Sequence, residues 1–149
     1  MRKLFVLVLV GAALLAVGVR AQAPKKSTAP KPVLWAAGDL KWVDNPAMKG
    51  AQQAVLWGDP AKGGFGALKK IAGGTVLPMH MHTNTMREVI LAGTISLQFE
   101  GGAAKDLGPQ SYTMVPGGVK HTATCKAGAD CVYFETSTGA YDLKTEGTQ

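Results

Sequence analysis

Three histidines, His80, His82 and His121, are the only imidazoles in the 149-residue chain, and their spacing could gather them around a metal ion. His80-Met81-His82 sets two of them at i and i+2. On a strand both rings would leave the same face, close enough to bind one ion together. His121 comes 39 residues after His82, directly behind Pro116-Gly117-Gly118-Val119-Lys120. Three neutral imidazoles with further positions open to water or substrate suit one divalent transition metal, whether Fe, Cu, Zn, Mn or Ni. A His-x-His pair alone also occurs on half-exposed strands with no metal, so the surrounding residues must decide.

The elements that could carry these rings are short strands. The chain is 46% hydrophobic, 17% charged and only 7% aromatic, with 19 glycines and 8 prolines. That composition disfavours disorder, a helix bundle and a coiled coil, and the length fits one domain able to bury its own core. Residues 94–100, Thr-Ile-Ser-Leu-Gln-Phe-Glu, alternate apolar and polar before Gly101-Gly102, a hairpin signal. Residues 53–57, 66–71, 89–91, 112–115 and 132–136 are further short apolar or alternating runs, each with glycine or proline close behind it. No helical period of useful length and no repeat follows the first 30 residues. The expectation is an all-β sandwich or small barrel.

Residues 1–23 have the form of a secretory signal: Arg2-Lys3, an apolar run over 4–19, then Val19-Arg20-Ala21 or Ala21-Gln22-Ala23 as a small-residue cleavage site. Pro24 disfavours the second, so cleavage is expected after Ala21, giving a signal over 1–21 and a mature start at Gln22. The apolar run is shorter than the roughly 20 residues of a spanning helix, which argues against an uncleaved anchor. Cleavage removes three of the 16 positive side chains and no acidic one, lowering the formal charge from +6 to about +3. Residues 22–32 are a Pro/Lys/Ala tract read as a solvated linker. No basic stripe is interleaved with aromatics, so nucleic acid is not an expected partner.

Export to a periplasmic or extracellular space would expose Cys125 and Cys131 to an oxidising compartment. A glycine-containing turn between them could form a hairpin and bring the sulfurs together as a disulfide; two buried free thiols are the other reading.

Gly74-x5-His80-x-His82-x3-Met86-x6-Gly93, followed by Pro116-x-Gly118-x2-His121, resembles the two sequence signatures of the cupin family. The resemblance covers residues 33–143 and implies a double-stranded β-helix of the jelly-roll kind. It also implies a metal held inside by His80, His82 and His121. Leu56-Trp57-Gly58-Asp59-Pro60, residues 77–82, Leu91-Ala92-Gly93-Thr94 and the cysteine pair are similar to a branch of exported bacterial cupins of unassigned function. Residues 144–149 are left as a disordered tail.

There are three departures from the signatures: Gln110 replaces the first glycine of the second, and it and the change at Cys125 are tolerable, whereas the loss of the glutamate bears on the chemistry. Met86 occupies the position where the first cupin signature carries a glutamate ligand, and Cys125 stands where the second ends in asparagine. With Met86 in place of the acid, the ion could be held by three histidines alone. Alternatively Met86 could be a fourth, soft ligand favouring copper, or Glu88, two residues on, could act near the ion as an acid or base. Met86 as a plain core filler is the competing reading. Tyr112 and Met114 share one strand face and could line the cavity. The expected function is therefore a small exported metal-binding cupin acting on a small organic molecule. It would be an oxygenase with Glu88 as proton acceptor, or a non-catalytic copper or small-ligand binder. The family resemblance also admits a homodimer.

Overall fold

The structure, a computed structural model, describes residues 31–145. The expected signal, most of the linker and the last residues of the tail lie outside the described residues. One compact unit spans Trp35–Gln149.

Two antiparallel sheets make up nearly all of that unit, with one single-turn 3-10 helix at Ala37–Asp39. In chain order the strands are β1 Val43–Asp44, β2 Ala51–Gly58, β3 Phe65–Ile71, β4 Val76–Met81, β5 Met86–Ala92 and β6 Ile95–Phe99. They continue as β7 Lys105–Leu107, β8 Tyr112–Val115, β9 His121–Cys125, β10 Cys131–Ser137 and β11 Lys144–Thr145. The larger sheet runs β1-β2-β3-β10-β5-β8 and the smaller β11-β4-β9-β6-β7. The chain crosses repeatedly between the two sheets, so neighbours in space are seldom neighbours in sequence. Strand alternation buries one face of each sheet against the other. Ile71, Ile90, Ile95, Leu97, Leu107 and Val115 form much of the shared apolar core.

The expected hairpin at Gly101-Gly102 is present: β6 pairs antiparallel with β7, Ile95 opposite Leu107. The tail expected from residue 144 begins instead as β11, whose Lys144 and Thr145 pair with Met81 and His80. Lys144 is further held by Asp142, 3.4 Å away, and donates to the Thr83 hydroxyl at 2.8 Å.

Tyr112 and Met114 do not line the interior. Directly opposite residues of an antiparallel pair share a face. β8 sets Val115 opposite Met86 and Thr113 opposite Glu88, so Val115 and Thr113 turn inward with those residues. Tyr112 and Met114 must then face out, and they are 59% and 45% exposed.

Cys125 and Cys131 form a disulfide, with Cα atoms 5.8 Å apart, but not within a hairpin. Cys125 ends β9 in the smaller sheet and Cys131 begins β10 in the larger, so the bond clamps the two sheets together at one end. Gly93 makes room for it. Its φ is +72°, and a Cβ there would sit 2.9 Å from the Cys131 sulfur and 2.6 Å from the Asp130 carbonyl oxygen. Closing so short a loop restricts the unfolded chain by about 2 kcal/mol. Reduction, or replacement of both cysteines by serine, should lower the unfolding free energy by that order in urea titrations; an unchanged midpoint would show that the clamp adds nothing.

Candidate metal centre

Strand pairing assembles the three histidines. β4 and β9 are antiparallel neighbours with His80 directly opposite His121, and an irregularity in their ladder falls between Leu77 and His80. His82 lies one residue beyond the end of β4, on the same inward face as His80. All three are buried, at 3%, 5% and 3% exposure for His80, His82 and His121. Ring centroids are 4.1 Å apart for His80 and His121, 5.1 Å for His80 and His82, and 5.4 Å for His82 and His121. Ligand nitrogens from the three rings lie within 4.8 Å of one another.

Hydrogen bonding fixes which nitrogen each ring offers. His80 Nδ1 meets the Pro78 carbonyl at 2.7 Å, His121 Nδ1 meets the Val119 carbonyl at 3.1 Å, and His82 Nδ1 meets the Asp142 carbonyl. A carbonyl oxygen can only accept, so each Nδ1 carries the hydrogen and each neutral ring keeps its lone pair on Nε2. Backbone acceptors of this kind orient and polarise imidazole ligands. Asp142 is itself anchored: its carboxylate accepts from the Thr83 backbone N–H at 2.7 Å and from the Thr83 hydroxyl.

Burial disfavours the charged form of each ring and lowers all three pKa values, His121 to about 4, against the opposing effect of the carbonyl bonds. At neutral pH the site is thus three uncharged nitrogen donors, with no proton to displace before an ion binds. That donor chemistry fits Zn, Cu, Fe or Ni.

The cavity beside the rings measures about 20 Å³, room for about one water. Its wall includes Met48, Leu77, Glu88, Tyr133, Glu135 and Tyr141. Glu88 shares the inward face with Met86 and reaches this wall, whereas Met86 is wholly buried in the apolar core and does not line the cavity. The methionine on the wall of this cavity is Met48, from the turn between β1 and β2.

Glu135, Lys69 and Tyr141 were not legible as site residues. Glu135 pairs directly with Glu88 across β10 and β5. Lys69, 1% exposed, stands 3.4 Å from Glu135 and donates to Gln53 at 2.8 Å, with its ammonium 4.1 Å from the Tyr141 ring centroid. The available signal was the alternation in β10, where Tyr133 and Glu135 share one face and Val132 and Phe134 the other.

The two-sheet β shell enclosing three convergent histidines has the cupin fold. Solved structures with the same fold include the polyketide cyclase RemF from Streptomyces resistomycificus, at 18% identity and a TM-score of 0.65, covering 80% of this chain and 88% of that one. An RmlC-like cupin from Shewanella frigidimarina has 16% identity and a TM-score of 0.59, with 74% and 93% covered. A cupin-2 domain from Rhodospirillum rubrum has 14% identity and a TM-score of 0.60, with 81% and 84% covered. Residues 19–144 match the family described as "Domain of unknown function (DUF4437)", and the chain belongs to that family. No curated protein matches it.

Glu88 is pushed up to about 8 from 4.5, first by burial and then by the Glu135 charge, with Lys69 pulling the other way. The folded chain therefore holds a proton that the unfolded chain releases between those two values, so this contribution to stability is lost as pH rises toward 8. The histidines act oppositely: unfolded rings take up protons near 6.5, so their contribution falls as pH drops from there toward about 4. In metal-free protein, Glu88→Gln should become more stable relative to the wild type as pH is raised from about 5 to about 8.5. Urea midpoints at the two pH values measure this; a constant difference would mean Glu88 titrates normally.

Proposed function

We propose that the protein is an exported, metal-dependent enzyme acting on a small organic substrate, with one divalent transition metal held by His80, His82 and His121 and a proton supplied by Glu88. The observation that carries this reading is the tying of all three Nδ1 hydrogens to backbone carbonyls, which leaves each of three buried rings, with ligand nitrogens within 4.8 Å of one another, a free lone pair. Isolated structural histidines have no need of such convergence.

A bound ion would supply Lewis acidity or one-electron chemistry there. The chain's own residues do the rest. With its pKa pushed up to about 8, Glu88 would serve at neutral pH as a proton donor. The cavity is too small for an organic molecule, but a hollow of about 230 Å³ opens beside it and shares Met48, Leu77 and His80 with its wall. Leu143, Val76 and Pro78 give that hollow an apolar surface, with Lys49 and Thr75 as polar groups. The substrate body would lie there and reach toward the ion with one donor end. RemF, which shares the fold, is a polyketide cyclase; that supports enzymatic use of such a shell without fixing this reaction.

Export is supported by the disulfide, which persists in oxidising compartments, and by the signal-like first residues. Among the described residues no helix is long and apolar enough to cross a membrane.

Met48 favours a second reading, copper binding without turnover, because its thioether is a soft donor on the same wall as three imidazoles. His121→Ala should reduce bound metal from one ion per chain to less than about a tenth while the protein stays folded, as read by elemental analysis and circular dichroism. Full metal content in that variant would remove the three-histidine site. Substrate-dependent oxygen uptake by iron-loaded protein would identify oxygenase chemistry. For copper carriage, Met48→Leu should weaken copper binding roughly tenfold and leave zinc unchanged, whereas Met86→Leu should alter neither. Equal copper affinity in all three proteins would exclude a sulfur ligand.

A further inference from the structure

Behind the three histidines lies a second cluster of ionisable groups that metal binding does not explain. Two rows of inward-facing residues cross the larger sheet. One runs Ala67, Glu135, Glu88, Thr113 and the next Gln53, Lys69, Tyr133, Ile90. Glu88 and Glu135 are thus direct cross-strand neighbours, and Lys69 sits in the adjoining row. Like charges directly opposite each other repel, and inside a protein that repulsion is strong. Among the described residues one positive group, Lys69, faces the two carboxyls. The other groups around them are the Tyr133 and Tyr141 hydroxyls, the Gln53 amide and the neutral rings of His80, His82 and His121. A single ammonium can neutralise one carboxylate, so the second, on half-buried Glu88, keeps its proton or stands as a charge with no opposite partner.

We propose that Glu88 and Glu135 are a shared-proton carboxyl pair, set by Lys69 and facing the three-histidine cavity, which gives the site one proton to donate and recover. Burial raises the pKa of Glu135, and Lys69, whose ammonium lies 3.4 Å from Glu135 Oε1, works against that rise and makes Glu135 the carboxyl of the pair that ionises first. That leaves the proton on Glu88. Apart from the Lys69 ammonium at 3.4 Å, the same Glu135 oxygen meets no polar partner among the described residues although it is enclosed, so a lone pair remains available for a proton arriving from Glu88 or from a ligand. In the donating step a Glu88 O–H bond breaks and its proton passes to an oxygen or carbon of the ligand. The cluster of Lys69, Glu135 and Glu88 then goes from zero net charge to −1, and uptake of one proton restores it. Ligands that gain one proton in the reaction, such as enolates and leaving alkoxides, are the class this chemistry serves.

The functional use of the pair rests on the metal-enzyme reading, but its existence can be measured without metal. Infrared spectra of the metal-free full chain should show a protonated-carboxyl C=O stretch at about pH 7 that disappears with a midpoint near 8. Glu88→Gln should abolish that band. Glu135→Gln should lower its midpoint by about one pH unit or more, since the repelling charge is gone. Lys69→Met should raise the midpoint and Lys69→Arg should restore it, a pattern that a merely structural lysine would not produce. The wild-type spectrum and the isosteric glutamine variants keep the test valid if Lys69→Met does not fold. Absence of the band in the wild type at pH 7, or its survival in Glu88→Gln, overturns the pair. Loss of metal binding with the band intact would instead overturn the metal reading alone.

Discussion

His80 and His121 meet because β4 and β9 pair in one particular register, and everything proposed for this protein depends on that alignment. Side chains alternate faces along a strand, so slipping β9 by one residue would carry His121 outward and bring its neighbour Thr122 in. The apolar pattern resists such a slip. β9 places Ala123 and Cys125 inward with His121, and Cys125 is locked to Cys131 in the opposite sheet. On the other side, β6 aligns Leu97 with Ala123 and Ile95 with Cys125. The disulfide and the small core residues therefore fix a ring roughly four residues away, which ties the stability of one end of the shell to the chemistry of the other.

Within that shell, the polar groups are arranged so that few charges remain unbalanced. The imidazoles are kept neutral by burial and oriented by backbone carbonyls, so they satisfy their own donors without importing a carboxylate. Lys69 is neutralised by Glu135, hydrogen-bonded to Gln53 and faced by the Tyr141 ring. Replacing such a pair by apolar residues often stabilises a protein, so a buried ion pair is poor evidence of a purely structural role. Its place on the wall of the histidine cavity is what gives it functional weight.

The fold was legible because alternation, turn glycines and the cupin signatures all pointed to one β shell, and the three histidines fell on matching positions. The phase of alternation was harder to read. In residues 112–115, tyrosine and methionine look more suited to a cavity than threonine and valine, yet pairing with β5 sends Thr113 and Val115 inward. Residues 132–136 posed the same difficulty: Val132 and Phe134 are the more apolar set, but Tyr133 and Glu135 face the interior. In β3, Lys69 is enclosed while its neighbour Lys70 lies over the Trp42 ring, so even a lysine can occupy the inward phase. Local hydropathy cannot settle phase when the interior is itself polar, because the rule that apolar residues go inside presumes an apolar interior. The sheet-to-sheet disulfide was misread as a hairpin for a related reason, since a short loop can join strands of different sheets.

Moving the acid from the position of Met86 to Glu88 changes what a carboxyl can do. Positions 86 and 88 share a face but lie roughly 6 to 7 Å apart along the strand, so an acid shifted by two residues keeps its view of the cavity and leaves ligand distance. Met86 then fills core volume, as its burial shows. A carboxylate ligand would lower the net charge of a bound divalent ion's site by one unit. Three neutral imidazoles leave that charge uncompensated and therefore favour an anionic ligand in the open positions. The displaced acid stands directly across from Glu135, and burial together with that charge pushes its pKa up to about 8. The same two-residue shift thus leaves the three imidazoles without a carboxylate among them and keeps an acid on the wall of their cavity, where its pKa is raised.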